Sequence, residues 1–379
     1  MINAANKDHC CGCSACVQIC PQKCIHLKED EHGFLYPIIA NDLCVDCGVC
    51  EKVCPYHNII EAKKPLSVYA AINPNEKIRY DSSSGGIFTM LAESVINDGG
   101  IVFGARFDEN WDVVHDYTDT IVGIGSFRGS KYVQSRIGET YNIARDYLKK
   151  GYKVLFSGTS CQILGLKLFL RREYENLITI DVVCHGVPSP LVWREYLKWI
   201  NPHNEVISHV NMRDKSRGWL RYSYVIRNEE NVFYDDYAAN SPYLQAFSRS
   251  LDLRPSCYNC PAKSGRALSD ITLADNWSYA ESSPEMFDNK GLSAVLIHSQ
   301  KGCDMFNKIH SNSKKISYDA FISSNTSYCL SSTKTKFVNV FWNMFSETKM
   351  LAVDDVVNKM RPTLLYRFVN KFKSIFVGK

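Results

Sequence analysis

No uninterrupted apolar run in this 379-residue chain approaches the length needed to span a bilayer. Its opening, MINAANKDHC, is polar and has no apolar core, so no signal peptide is expected. Charge is nearly balanced, and a net +4 makes no case for a nucleic-acid partner. No G-x-G-x-x-G follows a strand-like stretch, which argues against a nicotinamide dinucleotide as direct reductant. Apart from one duplicated cysteine pattern, the chain has no internal repeat and no low-complexity tract. What remains is ordinary for a soluble globular protein. With 45% hydrophobic and 22% charged residues, it can build two or three domains with real cores. Sixteen cysteines are the exception. Without a secretory signal they argue for metal ligation in a reducing compartment, so a cytoplasmic protein is expected.

Two cysteine runs dominate the first sixty residues. Cys10, Cys13, Cys16 and Cys20 precede Pro21; Cys44, Cys47, Cys50 and Cys54 precede Pro55. Both read C-x2-C-x2-C-x3-C-P, the bacterial ferredoxin pattern for 4Fe–4S clusters. Two-residue gaps let successive thiolates reach different irons from one tight loop. The fourth cysteine lies about one helical turn further on and serves the other cluster. The expected sets are Cys10, Cys13, Cys16 with Cys54, and Cys44, Cys47, Cys50 with Cys20. Gly12 and Gly48 permit tight loop backbone, and each proline ends its run. A zinc-knuckle pair or disulfides are the alternatives, and a duplicated run suits them poorly. The stretch resembles a bacterial-type ferredoxin domain holding two 4Fe–4S clusters. Cys11 and Cys24 look like bystanders.

Residues 61–65 read as a short polar linker. A strand follows over 67–72, and then Ser82, Ser83, Ser84, Gly85 and Gly86 lead into an amphipathic helix bearing Ile87, Met90, Leu91 and Val95. Such an entrance exposes backbone N–H groups and suits phosphate, although many are only caps. After a strand over 101–107 and a helix over 138–150, residues 153–156 read as a buried strand. Residues 157–161 then read as a tight turn into a helix running to Arg172, and 177–183 as the next strand. This β-α-β unit makes its two strands parallel and puts Cys161 and Cys184 past their carboxyl ends. Open α/β sheets bind ligands there. Farther on lie a helix over 190–200, the cationic loop Arg213 to Trp219, the pair Cys257-x2-Cys260, and a strand over 269–275.

Cys161, Cys184, Cys257 and Cys260 are therefore expected to hold a third 4Fe–4S cluster. A four-thiolate zinc site or ordinary core cysteines are the alternatives. Cys303 and Cys329 stand alone and look structural. From about Phe337 the chain turns helical and basic. Leu364, Phe368, Phe372 and Phe376 recur every four residues with Arg367 and Lys371 beside them, and no acidic residue occurs from Val356 to Lys379. Such a tail suits a membrane surface or a partner helix, but docking on its own protein is its commoner use.

With these residues read, the chain resembles the beta-subunit family of coenzyme F420-dependent hydrogenases and dehydrogenases, from Cys10 to about residue 330. The resemblance rests on Ser82 to Gly86, Gly129 to Ser135, Ser157 to Gln162, Val183 to Gly186, Arg213 to Trp219, Cys257 to Cys260 and Ser269 to Trp277. No single motif is specific; their order behind a ferredoxin unit is. The resemblance implies an FAD-binding α/β body fed by iron–sulfur clusters. In archaeal members it implies a deazaflavin as hydride partner, whereas related members reduce other conjugated organic substrates. Many bacterial members lie near surface-polysaccharide genes. Two features depart from the family: Ala274 stands where similar proteins often show glycine, and the basic tail lies outside the resemblance. The paired cysteine motifs of a nickel–iron subunit are missing, so the chain is not itself a hydrogenase.

The expected fold class is an α+β ferredoxin-like cluster domain (1–62) followed by an α/β flavin-binding body with a partly parallel sheet. The body comprises an N-terminal part (63–150) and a C-terminal part (151–335) that carries the third cluster, and a basic helical tail follows (336–379). FAD phosphates are expected at Ser83, Ser84, Gly85, Gly86, Gly158 and Thr159, where helix starts offer N–H groups. Lys131 and Arg217 are the candidate cationic partners. The expected function is an iron–sulfur flavoprotein oxidoreductase joining one-electron clusters to hydride chemistry on a deazaflavin or another conjugated small molecule. A redox partner protein, such as a ferredoxin or an oxidoreductase subunit, would exchange the electrons. The alternative is an electron carrier serving a partner enzyme without a substrate of its own; a redox-sensing module is a weaker third reading.

Overall fold

The computed structural model of the chain describes residues 2 and 6–360. Among the described residues thirteen strands run in chain order: β1 (Ile25–Glu29), β2 (Leu35–Ile39), β3 (Ser67–Ile72), β4 (Ile101–Phe107), β5 (Val113–Thr118), β6 (Val154–Thr159), β7 (Leu177–Val182), β8 (His209–Asp214), β9 (Ser223–Arg227), β10 (Val232–Tyr237), β11 (Ile271–Asp275), β12 (Ser293–Ile297) and β13 (Asn312–Ile316). The first two form an antiparallel hairpin between the cysteine runs. Asp30 closes its turn by accepting from the backbone N–H groups of His32 at 3.0 Å and Phe34 at 2.9 Å.

Eight strands make one mixed sheet in the order β13-β3-β12-β11-β7-β6-β4-β5. Its centre, β11, β7, β6 and β4, is parallel, and its flanks are antiparallel. Parallel strands are covered on both faces and read as continuous apolar runs. Side-chain alternation then divides those runs between two cores. Val154, Phe156 and Leu177 point to the face covered by helices Thr140–Lys149 and Ser160–Leu170. Leu155, Ile178 and Ile180 point to the opposite face, beneath helix Ile87–Asn97. Strands from both sides of residue 150 share this sheet, so the body is continuous across that point.

The cysteine-rich unit is part of the first of these cores. Cys11, Cys13, Ala15 and Val53 pack with Tyr141, Ala144, Ile163 and Leu166 in one buried cluster. One segment departs from the sequence expectation. Residues 157–159 continue β6 rather than turning, because Ser157, Gly158 and Thr159 keep their ladder partners Ile180, Asp181 and Val182. The helix begins only at Ser160.

Three further strands, β10-β9-β8, form a small antiparallel sheet. It packs with helices Pro190–Ile200 and Pro242–Ser248 around a core rich in aromatic residues, including Trp193, Tyr196, Tyr224 and Tyr243. Both helices start with serine caps followed by proline, a strong start signal: Ser189 accepts from Val192 N and Ser241 from Leu244 N. Helices Phe337–Thr348 and Leu351–Met360 complete this core through Phe341, Phe345, Val353 and Val356, all at most 2% exposed. The chain past residue 336 is therefore built into the body up to Met360. The stripe Leu364, Phe368, Phe372 and Phe376 lies outside the described residues. No helix among the described residues is long and apolar enough to cross a membrane.

Candidate metal centres

Each cysteine run curls by placing two residues at matching positions in left-handed backbone. In the first these are Gly12 (φ 70°) and Ser14 (φ 62°), and in the second Asp46 (φ 51°) and Gly48 (φ 68°). Glycine adopts this conformation without strain, and each loop supplies one. The curled loops enclose two cavities. One, of about 250 Å³, is lined by Cys10, Cys13, Cys16 and Cys54. The other, of about 20 Å³, is lined by Cys20, Cys44, Cys47 and Cys50. The fourth cysteine of each run thus lines the other run's cavity.

The two loops are alike in sequence position but not in surroundings. Cys11 and Cys13 correspond to Val45 and Cys47. The first pair is 7% exposed at each residue, whereas Val45 is 62% exposed and Cys47 is open to solvent. The first loop faces the body and the second faces outward. Gly165 makes this close approach possible: a Cβ there would lie 2.8 Å from Cys13 Cβ and 2.9 Å from Cys13 Sγ. Cys11 is no bystander. It is buried between the two cysteine sets, and the nearness of its thiol is the first cause raising the Cys161 thiol well above its ordinary range. Cys24 is a neighbour of the other site, with its sulfur 3.4 Å from that of Cys20.

A second cysteine set lies just beyond. Thr159 and Val182 are register partners in β6 and β7, so Cys161 and Cys184 stand two residues past matched strand ends. Cys257 and Cys260 arrive on the 3-10 turn Pro255–Asn259 and the residue after it. Val187 N donates to Cys257 Sγ at 3.4 Å, and Ser331 Oγ accepts from Cys260 N at 3.0 Å. Cys257 lies in the field of Cys184, Cys161 and Cys260. Burial pushes the Cys184 thiol up to about 12 and the Cys260 thiol up to about 11. The Lys263 ammonium, bound to the carbonyls of Cys184 and Ser327, works against that shift and favours thiolate at both cysteines.

Sulfur spacing bears on what such a set can hold. Among the described residues, only Asp30, Glu31 and His32 bring three potential ligand atoms within 4.8 Å of one another. Those three are otherwise engaged: Lys7 bridges Asp30 at 2.8 Å and Glu31 at 2.9 Å, and His32 stacks on Trp342. One zinc ion holds four thiolates at about 2.3 Å, which crowds the sulfurs to about 3.8 Å apart. Within the cysteine sets, no three sulfurs of the described residues lie within 4.8 Å of one another.

The carboxyl edge of the sheet gathers several other groups. Ser130 N donates to Ser83 Oγ at 2.6 Å, which joins Ser83 to the loop carrying Lys131. Lys131 donates to the carbonyls of Arg128 at 3.0 Å and Gly129 at 3.2 Å, and burial lowers its ammonium to about 7. Ser84 Oγ is taken by Leu292 O at 3.0 Å. Gly85 and Gly86 are closed in by their own chain. A Cβ on Gly85 would meet Ala71 O at 2.4 Å, and Gly86, at φ 83°, backs onto Asn73 and Arg79. They are glycines for close packing, and neither offers an open surface to a phosphate. Thr159 and Gln162 close the next helix start as a capping box, with Gly158 between Gln162 and His115. Arg217 departs furthest from expectation. It lies in the turn between β8 and β9, held by Ser223 Oγ and by Asp235 at 2.6 Å, with its guanidinium over Tyr237. The acidic pair Asp235 and Asp236 in β10 explains this placement better than any ligand.

In the sequence Arg213 and Trp277 stand only as ends of motifs, without a role at this edge. Arg213, 6% exposed, bonds Asp275 at 2.5 Å, and its Nε and Nη2 have no hydrogen-bond partner. Beside it Trp219 stacks on Trp277, with ring centroids 4.7 Å apart, and donates to Asp275 at 3.2 Å. Trp277 is 38% exposed and presents an aromatic face at the rim.

Two crossed thiolate cavities on ferredoxin-type loops make this an iron–sulfur electron-transfer protein. Residues 9–58 match the family model of the 4Fe–4S dicluster domain. Residues 151–320 match the family model for the C terminus of the coenzyme F420 hydrogenase/dehydrogenase beta subunit. By these matches the chain carries a 4Fe–4S dicluster domain ahead of a stretch similar to the C terminus of the coenzyme F420 hydrogenase/dehydrogenase beta subunit. Among solved structures it is similar to a chain of the F420-reducing NiFe hydrogenase complex from Methanosarcina barkeri, studied as a xenon derivative. That likeness covers 79% of this chain and 93% of the other, at 16% identity and a TM-score of 0.46. No curated protein matches the chain.

Proposed function

We propose that the chain is an iron–sulfur flavoprotein oxidoreductase. On this reading the 1–62 unit exchanges single electrons with a partner protein, and the 63–360 body holds a third 4Fe–4S cluster and FAD. One observation carries it: helix Ser160–Leu170 serves both cysteine sets. Cys161 opens the helix, and Gly165, one turn later, lies against Cys13. Four residues of helix rise about 6 Å. The spacing therefore suits electron exchange between the two sets without a mobile carrier.

Cys161, Cys184, Cys257 and Cys260 would hold the third cluster. A four-thiolate zinc site is the alternative occupant of the same ligands. The chemistry of the donor set also fits a flavin at the same edge. Lys131 has no carboxylate partner among its hydrogen bonds, Arg213 has two unpartnered N–H groups, and Trp277 offers a ring to stack on. When bound, a flavin links one-electron steps to two-electron chemistry on an organic substrate. Lys131 would then steady a phosphate, with Ser83 fixing the loop that carries it. Burial alone discharges Lys131 as the pH rises through about 7, and a neighbouring phosphate would hold the proton on. Arg213 and Trp277 would set the orientation of a conjugated substrate or deazaflavin.

The test is anaerobic purification followed by identification of the released flavin, for the unmodified chain and for Lys131→Glu. FAD retained by the first, and held at least about tenfold more weakly by the second with iron unchanged, is the expected result. Intact clusters without flavin would leave only the electron-carrier reading. Equal flavin in both proteins would remove Lys131 from the site.

A further inference from the structure

Arg254 is 0% exposed and sits three residues before Cys257, yet its side chain belongs to the first cysteine run. Nε donates to Cys10 O at 2.6 Å, and Nη2 donates to Cys10 Sγ at 3.4 Å and to Leu35 O at 2.9 Å. Nη1 donates to Gln134 Oε1 at 2.9 Å. The guanidinium plane lies over Tyr36, 4.2 Å from the ring centroid. None of these partners is a carboxylate. Gly12 leaves room for the arrangement, since a Cβ there would lie 2.9 Å from Nη1 and 2.6 Å from Gln134 Nε2. Among the described residues no cation hydrogen-bonds to a cysteine sulfur of the second run.

We propose that Arg254 raises the reduction potential of the cluster held by the first run, and so keeps the inward electron step from the second run open. Reduction adds one negative charge to a centre already ligated by four thiolates. Burial makes that charge harder to accept, and the first run is the buried one. Cys47 and Val45 leave the second run open to water, which stabilises added charge. Without a compensating group, an electron entering at the surface would stay there. A guanidinium stays protonated at any working pH, and its charge-assisted bond to Cys10 Sγ favours the reduced form. Hydrogen bonds to ligand sulfur and local charge are established levers on such potentials. In the step itself one electron leaves the second-run centre, oxidising it by one, and reduces the first-run centre by one. No bond changes and no proton moves. This inference needs only the two-cluster unit, not the third cluster or the flavin, so its failure would leave those readings standing.

The experiment is a potentiometric titration of the full chain followed by electron paramagnetic resonance, with the second-run signal assigned through Cys47→Ser. In the unmodified chain the first-run centre should be reduced alongside or before the second. Arg254→Gln should lower the first-run reduction equilibrium about tenfold, equal to about 59 mV for one electron, and leave the second run unmoved. Arg254→Lys keeps the charge but loses the forked contact, so about threefold is expected. That variant carries the test if Arg254→Gln does not load iron. An unchanged first-run potential, or an equal shift of both runs, overturns the proposal. If neither variant loads iron, the order in the unmodified chain decides: a first-run centre reduced more than about tenfold less readily than the second contradicts it.

Discussion

Replacing Gly165 by valine should empty the first-run centre while sparing the second. The helix Ser160–Leu170 crosses the first cysteine loop so closely that even a Cβ would fall 2.8 Å from Cys13 Cβ and 3.2 Å from Tyr141 Oη. Neither neighbour can retreat easily. Cys13 is fixed by its loop, and Tyr141 donates to Gln162 O at 2.7 Å inside the same core. Valine adds two further carbons, so either the helix lifts away or Cys13 leaves its position. Overpacking of this kind costs about 1–3 kcal/mol, and each 1.4 kcal/mol is about a tenfold loss in occupancy. Iron analysis with Mössbauer spectra should therefore show about tenfold or greater depletion of the buried centre and a normal exposed one. Full loading of both centres would mean that the helix does not press on Cys13 as described.

The second large effect is on stability. Asp275 ends β11 and holds Arg213 at 2.5 Å, with both side chains at most 13% exposed. Burial works to lower the guanidinium's pKa, but the Asp275 carboxylate beside it holds the value above the ordinary one. Arg213 thus stays charged in the folded protein, supported also by the Tyr222 ring 4.6 Å away. Asp275→Ala leaves that charge buried without a counterion and removes the acceptor for Trp219 Nε1. Breaking a buried pair from one side destabilises by about 3–5 kcal/mol. Anaerobic denaturant unfolding should show a loss of that size, and Asp275→Asn, which keeps an acceptor, a smaller one. A change below about 1 kcal/mol would place the pair in the class of surface ion pairs.

Local signals carried much of the architecture. The spacing of the cysteine runs dictated two tight loops, and the loops formed with left-handed residues at equivalent places. The β-α-β pattern around Cys161 and Cys184 was enough to align their strands, because a parallel pair leaves both cysteines at one edge. What stayed hidden depends on chain partners far apart in sequence. Arg254 and Cys10 are separated by 244 positions, and no local pattern marks an arginine for a cysteine sulfur. Gly165 carried a faint signal, four residues after Cys161 on the same helix, but glycine in a helix has many explanations. Arg217 misled for the opposite reason. It sits in a polar loop with three cations, and the carboxylate that claims it, Asp235, comes from the following hairpin. The residues from Phe337 to Met360 looked like an appendage because the strand pairings they cover lie some hundred positions earlier.

The central claim is that the two cysteine sets flanking helix Ser160–Leu170 both carry clusters. Iron and acid-labile sulfide per chain, measured after anaerobic purification, test it most directly, with Cys257→Ser/Cys260→Ser as the comparison. The expected result is about twelve irons with matching sulfide in the unmodified chain, and about eight in the variant with both ferredoxin-type clusters intact. About eight irons in both proteins, with either one zinc or no other metal in the unmodified chain, would contradict it.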